Sequence, residues 1–369
     1  MTKQINFTDV NPISFKEEIK INKEVINIIK KKNFILGDEV KIFEKNFSKL
    51  AKCKYAVGCA SGTDALILSL MALNLKENDE VIVPGMTYIS TGLSVVLNKN
   101  KLILVDIDNE TGLIAIDKIK KKITKKTKAI IPVNLYGQKV NLKELRKVIG
   151  NKVSIIEDSA QSHFAFNENS NKITSNNYAD TSCYSFYPAK NLGAFGDGGL
   201  ITTNNKALYS KLMALRNLGA VKKNNHLLKG INSRLDTIQS VVLNQKLKSI
   251  LSLNKKRRKI ANYYDKNLHT IKQIKLTKTN KGSSRHLYVI RTKKRDKLIK
   301  YLAQKKIFCQ MHYPYSLNKL SPIKKMIKKT KLENSERWAK ECISLPIHPK
   351  LTISQTNRIV NELKLFFAK

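Results

Sequence analysis

The chain runs to 369 residues, 42% of them hydrophobic and 7% aromatic, which is enough to bury a sizeable core and points to two domains. Its opening, Met1 to Asn6 followed by polar residues and Pro12, does not read as a leader peptide, and no apolar run approaches the roughly 18 residues of a membrane span, so a cytoplasmic protein is expected. The formal net charge of +41 would by itself suggest nucleic acid, but it is mostly lysine spread along the whole chain (Lys30 to Lys32, Lys120 to Lys122, Lys324-Lys325, Lys328-Lys329) and reads as ordinary solvated faces.

In chain order, residues 12–32 place Ile19, Val25, Ile28 and Ile29 at helical spacing and predict a helix, broken by Phe34-Ile35-Leu36-Gly37. Glu39 to Leu50 is a second, amphipathic helix with Val40, Phe43 and Phe47 on one side. Tyr55 to Ala60 reads as a buried strand, then Ser61-Gly62-Thr63-Asp64, then an apolar helix over Ala65 to Leu73. That turn suits a phosphate held on backbone N–H groups at a helix N-terminus; it suits a plain N-cap equally well. Glu80 to Pro84 is the next strand and leads to Tyr88. Leu102 to Asp108 and Lys128 to Val133 are continuous apolar strands, each followed by a helical pattern, and the alternation predicts an α/β domain with a mostly parallel sheet. Asn134 to Gln138 follows the second of these and is expected to reach a cleft.

The chemistry gathers further on. Val153 to Ile156 is a buried strand ending in Glu157-Asp158-Ser159-Ala160-Gln161. Thr181 to Tyr187 is β-prone and is followed by Pro188-Ala189-Lys190 and the glycine-rich stretch Asn191 to Gly199. A lysine amine at a strand end, desolvated or beside a cation, loses its charge more readily and becomes a nucleophile able to form a Schiff base. A carboxylate and an amide three residues apart match a ring carrying both a pyridinium nitrogen and a phenolate oxygen, as pyridoxal phosphate does. Past a helix over Lys206 to Leu215 comes a polar loop with Lys222, Lys223 and His226, then Gly230-Ile231-Asn232-Ser233-Arg234-Leu235-Asp236-Thr237-Ile238-Gln239. One long helix is predicted from about Ser233 to Asn262. Strands over His286 to Arg291 and Ile307 to Gln310, a helix over Asp296 to Gln304, and a helical remainder ending in an amphipathic pattern over Gln355 to Phe367 predict a small α/β unit. Cys53, Cys59, Cys183, Cys309 and Cys342 are dispersed without Cys-x-x-Cys spacing and read as reduced thiols, with no metal site.

The Asp158-x-x-Gln161 pair, the string Ser185-Phe-Tyr-Pro-x-Lys190-Asn-Leu-Gly-x-x-Gly-Asp-Gly-Gly199 and Gly230-x-Asn-Ser-Arg-Leu-Asp-x-x-Gln239 together resemble the DegT/DnrJ/EryC1/StrS family of sugar aminotransferases, over about Phe34 to the C-terminus. The resemblance implies a fold-type-I pyridoxal phosphate transferase: a large domain (1–245) with a mostly parallel mixed sheet, plus a smaller C-terminal α/β domain (246–369). It implies that Lys190 holds pyridoxal 5'-phosphate, that Asp158 pairs with the ring nitrogen and Gln161 with the ring oxygen, and that Tyr88 stacks on the ring. Gly62, Thr63, Ser185 and Asn232 would hold the phosphate, Asn232 reaching across from a second subunit, so that the working unit is a homodimer. Relatives that dehydrate sugars can carry histidine in place of the lysine; Lys190 favours transamination.

Gln310-Met311-His312-Tyr313-Pro314 and the loop with Lys223 and His226 resemble the branch acting on dTDP-3-keto-6-deoxyhexoses, which makes Lys223, His226, His312 and Tyr313 the expected substrate contacts and L-glutamate the expected amino donor. Leu218, Gln239-Ser240-Val241 and the absence of a histidine near Asn318 depart from that branch. A UDP-4-keto sugar or a cyclitol ketone is the alternative substrate. A basic nucleic-acid-binding or regulatory protein is the alternative of another class, and the joint presence of Asp158, Gln161 and Lys190 speaks against it.

Overall fold

A computed structural model describes residues 3–166, 177–328 and 330–368. Its centre is a seven-stranded sheet of β1 (Tyr55–Cys59), β2 (Glu80–Pro84), β3 (Lys101–Val105), β4 (Thr127–Ile130), β5 (Ser154–Asp158), β6 (Thr181–Ser185) and β7 (Gly199–Thr203). The order across the sheet is β1-β7-β6-β5-β4-β2-β3. The pairs β2–β3, β2–β4, β4–β5 and β5–β6 are parallel, and β7 runs antiparallel to both its neighbours. A parallel sheet is covered on both faces, so its strands read as continuous apolar runs; β2 and β7 are buried at every position.

One face packs against α3 (Gly62–Ala72), α4 (Ile89–Leu97) and α7 (Lys206–Leu215), through a core that includes Leu66, Leu68, Leu70, Val81, Val95, Ile156 and Leu212. The helices α5 (Ile116–Ile119) and α6 (Leu142–Ile149) lie over a second core around Ile130 and Ile155. On a third, α1 (Phe15–Lys31) and α2 (Asp38–Ala51) approach α8 (Thr237–Leu247), with Phe43, Phe47, Tyr184 and Phe186 meeting at ring distances of 4.9 to 6.0 Å. Helix α1 starts where the sequence Ser-x-x-Glu supplies a reciprocal cap, Ser14 with Glu17. Ile21 and Ile28 are its buried residues, while Ile19 and Ile29 are half exposed.

The hairpin of β8 (Ala220–Lys222) and β9 (Asn225–His226) forms within the stretch expected as a polar loop. The single helix expected over Ser233 to Asn262 is instead two: α8, and α9 (Ile250–Leu268), separated at Lys248 and Ser249. The apolar periodicity runs through that break; the first helix begins only at Thr237, where the Ser233 N–H bonds the Arg216 carbonyl and the Thr237 N–H bonds the Phe34 carbonyl instead of a helical partner.

A second sheet, β10 (Lys275–Leu276), β11 (Tyr288–Arg291) and β12 (Cys342–Leu345), is antiparallel and packs with α9, α10 (Arg295–Gln304) and α13 (Ile353–Ala368). Ile5 joins this core and bridges Ile307, so the start of the chain closes onto its last third. Two expectations change here. Residues 307–310 make isolated bridges, Ile307 to Ile5 and Gln310 to Ser344, rather than a strand of the ladder. Residues 342–345, expected to be helical, form β12 after α12 (Glu333–Glu341), because Arg291 and Tyr288 of β11 provide a partner edge that local sequence does not reveal. The five cysteines are free.

Candidate active site

Strand β7 is antiparallel to both β1 and β6, so β1, β2, β4, β5 and β6 point the same way and their carboxyl ends share one edge. Loops at that edge are where open α/β sheets bind ligands. Asp158 closes β5, Ser185 closes β6, Ser61-Gly62 follows β1, Tyr88 follows β2 and Tyr136 follows β4.

Asp158 is buried and both its oxygens are engaged: Oδ1 accepts from the Ala160 N–H at 3.1 Å and Oδ2 from the Thr91 hydroxyl at 2.9 Å. Thr91 in turn lies 3.0 Å from the Thr87 hydroxyl. Burial raises the Asp158 pKa, and the Ala160 and Thr91 hydrogen bonds and the charge of Lys190 work against that rise. Lys190 is half-buried; desolvation lowers its pKa to about 8, against the pull of Asp158. The charge of each group therefore bears on the other. Their neighbour Glu157 points into a separate buried cluster, with Lys139 at 2.8 Å, Ser182 at 2.6 Å and Asn134 at 2.7 Å. Burial alone would raise its pKa, but Lys139 and these hydrogen bonds bring it below the usual value.

Gln161 is held at both ends of its amide. Its Oε1 accepts from the Tyr136 N–H at 2.7 Å, and its Nε2 donates to the Tyr313 hydroxyl at 2.9 Å. The Tyr313 ring lies 5.7 Å from that of Tyr88 and 5.3 Å from that of His312. The Tyr136 hydroxyl donates to the His312 carbonyl, and His312 Nδ1 sits 2.8 Å from Ser344 Oγ with Phe7 stacked on its ring at 5.6 Å. Burial, then the charge of Lys190, lowers the His312 pKa to about 4.

At the first turn of α3, Ser61 accepts from the Asp64 N–H, and the N–H groups of Gly62 and Thr63 precede any intrahelical acceptor. Two close approaches shape this turn. A Cβ on Gly62 would lie 2.6 Å from Ser185 Cβ, and one on Gly199 would lie 2.2 Å from the Ser61 carbonyl oxygen. The Thr63 hydroxyl is 2.8 Å from that of Ser90. This is a cradle for an anionic group, with N–H donors, the hydroxyls of Thr63 and Ser185 and a helix dipole, and it shares an edge with an amine, a carboxylate and the ring of Tyr88. The donor set, an anion cradle beside a buried carboxylate and a desolvated amine, therefore fits pyridoxal phosphate.

Of the residues expected from sequence, the chain brings Gly62, Thr63, Tyr88, Asp158, Gln161, Ser185, Lys190, His312 and Tyr313 to this edge. Lys223 and His226 are exposed on the β8–β9 hairpin, where His226 Nδ1 lies 3.0 Å from the Leu218 carbonyl. Asn232 is exposed too; its neighbour Ser233 is buried and donates to Asp64 at 2.7 Å, beside the cradle. Sequence reasoning missed Thr91, Tyr136 as the partner of Gln161, and Phe7. Thr91 stands one helical turn beyond Tyr88, a spacing that marks a shared helix face but carries no sign of the Asp158 bond.

A family model described as the DegT/DnrJ/EryC1/StrS aminotransferase family matches residues 16–364. The dTDP-3-amino-3,6-dideoxy-alpha-D-galactopyranose transaminase of Aneurinibacillus thermoaerophilus is 36% identical over 98% of this chain and 99% of its own. A UDP-2-acetamido-2-deoxy-3-oxo-D-glucuronate aminotransferase of Pseudomonas aeruginosa is 34% identical over 94% of this chain and 96% of its own. Among solved structures, DesV of S. venezuelae in complex with a ketimine intermediate superposes with a TM-score of 0.95 at 31% identity, covering all of both chains. NtdA of Bacillus subtilis with bound cofactor PMP gives 0.92 at 26% identity, covering all of this chain and 86% of that one. The chain therefore belongs to the DegT/DnrJ/EryC1/StrS aminotransferase family and is a pyridoxal phosphate-dependent sugar aminotransferase.

Proposed function

We propose that this enzyme moves an amino group from L-glutamate to a nucleotide-linked keto sugar, a dTDP-3-keto-6-deoxyhexose, in the cytoplasmic synthesis of a deoxyamino sugar for a surface polysaccharide such as an O-antigen. The observation that carries the reading is the half-buried Lys190 amine, lowered to about 8, opposite the hydrogen-bonded carboxylate of Asp158. The Lys190 amine would hold the cofactor in the resting enzyme and, once freed by the donor, would take up and return a proton at Nζ as general base and acid. When bound, pyridoxal phosphate supplies an electron sink for the charge left as the donor's proton departs. Asp158 holds the ring nitrogen protonated, Gln161 orients the ring oxygen, and Tyr88 covers the ring face. Gly62, Thr63 and Ser185 hold the phosphate, and the partner subunit's Asn232 completes the cradle, which makes the working unit a homodimer. The exposure of Asn232, Lys223 and His226 supports this reading, since a second copy can reach them. Lys223 and His226 then meet the substrate diphosphate, and His312 and Tyr313 the sugar.

The dTDP-sugar relative at 36% identity supports the acceptor class. The relative named for a UDP-linked 3-oxo sugar supports a second reading with the same chemistry on a UDP sugar. The test is the absorption spectrum of the purified protein, which L-glutamate should convert to the amine form of the cofactor. A panel of dTDP-3-keto, UDP-3-keto, UDP-4-keto and cyclitol ketones, added one at a time, should then return the original band. Return with UDP sugars alone selects the second reading; no response to L-glutamate removes it as donor.

A further inference from the structure

The motif residue after Lys190 has a use that the reaction does not require of it. Asn191 is buried, and its amide makes three hydrogen bonds. Nδ2 donates to Asn254 Oδ1 on α9 at 2.8 Å and to the Ser284 carbonyl at 3.0 Å. Those two acceptors take both amide protons, so Oδ1 faces His286, whose Nδ1 lies 3.0 Å away and must be the donor. Asn254 Nδ2 continues the chain to the His163 carbonyl at 2.9 Å, two residues past Gln161. Donors and acceptors therefore run one way, from His286 through Asn191 and Asn254 to His163.

The segment carrying His286 is fixed to the same loops by its main chain. Ser284 N–H donates to the Gly137 carbonyl at 2.8 Å, the Ser284 hydroxyl to the Gln161 carbonyl at 3.2 Å, and Phe166 N–H to the Gly282 carbonyl at 3.0 Å. Buried Arg257 donates to the carbonyls of Ile347 and His286. Meanwhile the Lys190 loop has little freedom of its own: Lys190 N–H bonds the Tyr187 carbonyl at 2.8 Å, and Gly193 sits where a Cβ would be 2.2 Å from the Pro188 carbonyl oxygen. Burial, then the charges of Lys190 and Arg257, holds His286 neutral, which leaves it a single ring proton for this purpose.

We propose that His286 is a positioning residue: by donating from Nδ1 to Asn191 it fixes the main chain at Lys190, so that the segment 282–287 from the C-terminal part of the chain sets where the reactive amine points. A buried one-way network of this kind favours one arrangement, since shifting Asn191 strands the partners on both its amide atoms. The inference rests on Lys190 being the residue that links the cofactor.

Two substitutions of similar size and polarity test it. His286→Asn keeps a donor at the place of Nδ1, whereas His286→Gln carries its amide one bond further, to the place of Nε2. Each holoenzyme is titrated with pH while the cofactor's absorption band is followed, and kcat and KM for the keto sugar are measured separately. His286→Asn should keep the wild-type midpoint and kcat. His286→Gln should shift the midpoint and lower kcat by about 10- to 100-fold with little change in KM, the scale expected for a reactive group displaced by about an ångström. Equal behaviour of the two variants overturns the assignment, whether both work or both fail. So does a His286→Gln enzyme that melts earlier yet keeps the wild-type midpoint. Borohydride reduction followed by peptide mass mapping keeps the two readings apart: a cofactor found on a lysine other than Lys190 refutes the linking role, whatever the His286 variants do.

Discussion

Replacing Gly199 with alanine tests the phosphate cradle through a contact about which the geometry leaves little freedom. The new methyl would stand 2.2 Å from the Ser61 carbonyl oxygen, 2.4 Å from its carbon and 2.9 Å from the Gly62 nitrogen, all backbone atoms. Ordinary contact begins near 3.4 Å, so Ser61 and Gly62 must retreat by about an ångström. Gly199 cannot move in their place, because it pairs with Cys59 of β1 on one side and Ser185 of β6 on the other. The strain therefore falls on the first turn of α3, whose Gly62 and Thr63 N–H groups are proposed to hold the phosphate. Losing one or two charge-assisted hydrogen bonds, at about 1.5–3 kcal/mol each, weakens pyridoxal phosphate by at least about tenfold. Overpacking adds about 1–3 kcal/mol of destabilisation. Equilibrium dialysis of the apoenzyme against pyridoxal phosphate reads the first effect and urea unfolding the second. A Gly199→Ala protein that binds the cofactor with wild-type affinity would refute the cradle.

Lys190→Ala should fold and lose turnover entirely, with no borohydride-stable adduct; full activity would end the proposed mechanism. The uncharged amine is the nucleophile, so a midpoint lowered from 10.5 to about 8 leaves about one Lys190 in four reactive at pH 7.5, against about one in a thousand for an exposed lysine. Capture of pyridoxal phosphate by the apoenzyme should thus rise with pH and level off above about 8, whereas a rate still climbing at pH 10 contradicts the desolvated site. Thr91→Val removes a hydrogen bond that favours the ionised Asp158, so the carboxyl pKa rises further and the acid limb of the kcat profile should move to higher pH; Thr91→Ser should restore it. Glu44→Ala strands the buried Arg216 guanidinium, which bonds Glu44 of α2 and the Gly58 carbonyl of β1, and should cost about 3–5 kcal/mol in urea unfolding. A loss below about 1 kcal/mol would show that the pair is solvated in the native protein.

What the sequence disclosed and what it withheld divide along a physical line. Groups that must be one residue type to do their chemistry stand in short strings: Lys190 before glycines, Asp158 three residues from Gln161, Gly62-Thr63 at a helix start. The parallel strands were equally legible, because burial on both faces makes each a continuous apolar run. What stayed hidden depends on partners far along the chain. Thr91 reaches Asp158 across 67 positions, Gln161 finds Tyr313 across 152, and His286 finds Asn191 across 95. A threonine or histidine in such a place has no local signature, since the same residue on a solvated face would look identical. The same blindness explains β12, whose strand conformation is supplied by the edge of β11. It also explains Phe7. Read alone, an aromatic near the start of a chain promises nothing. Folded, Ile5 bonds to Lys306 and Phe308, and this brings Phe7 onto the ring of His312, whose carbonyl takes the Tyr136 hydroxyl while Tyr313, next in sequence, takes the Gln161 amide. The first residues of the chain thereby bear on His312 and Tyr313, the side chains proposed to meet the acceptor. Local strings name the groups that react; long-range hydrogen bonds decide where they stand, and substrate choice belongs to the second.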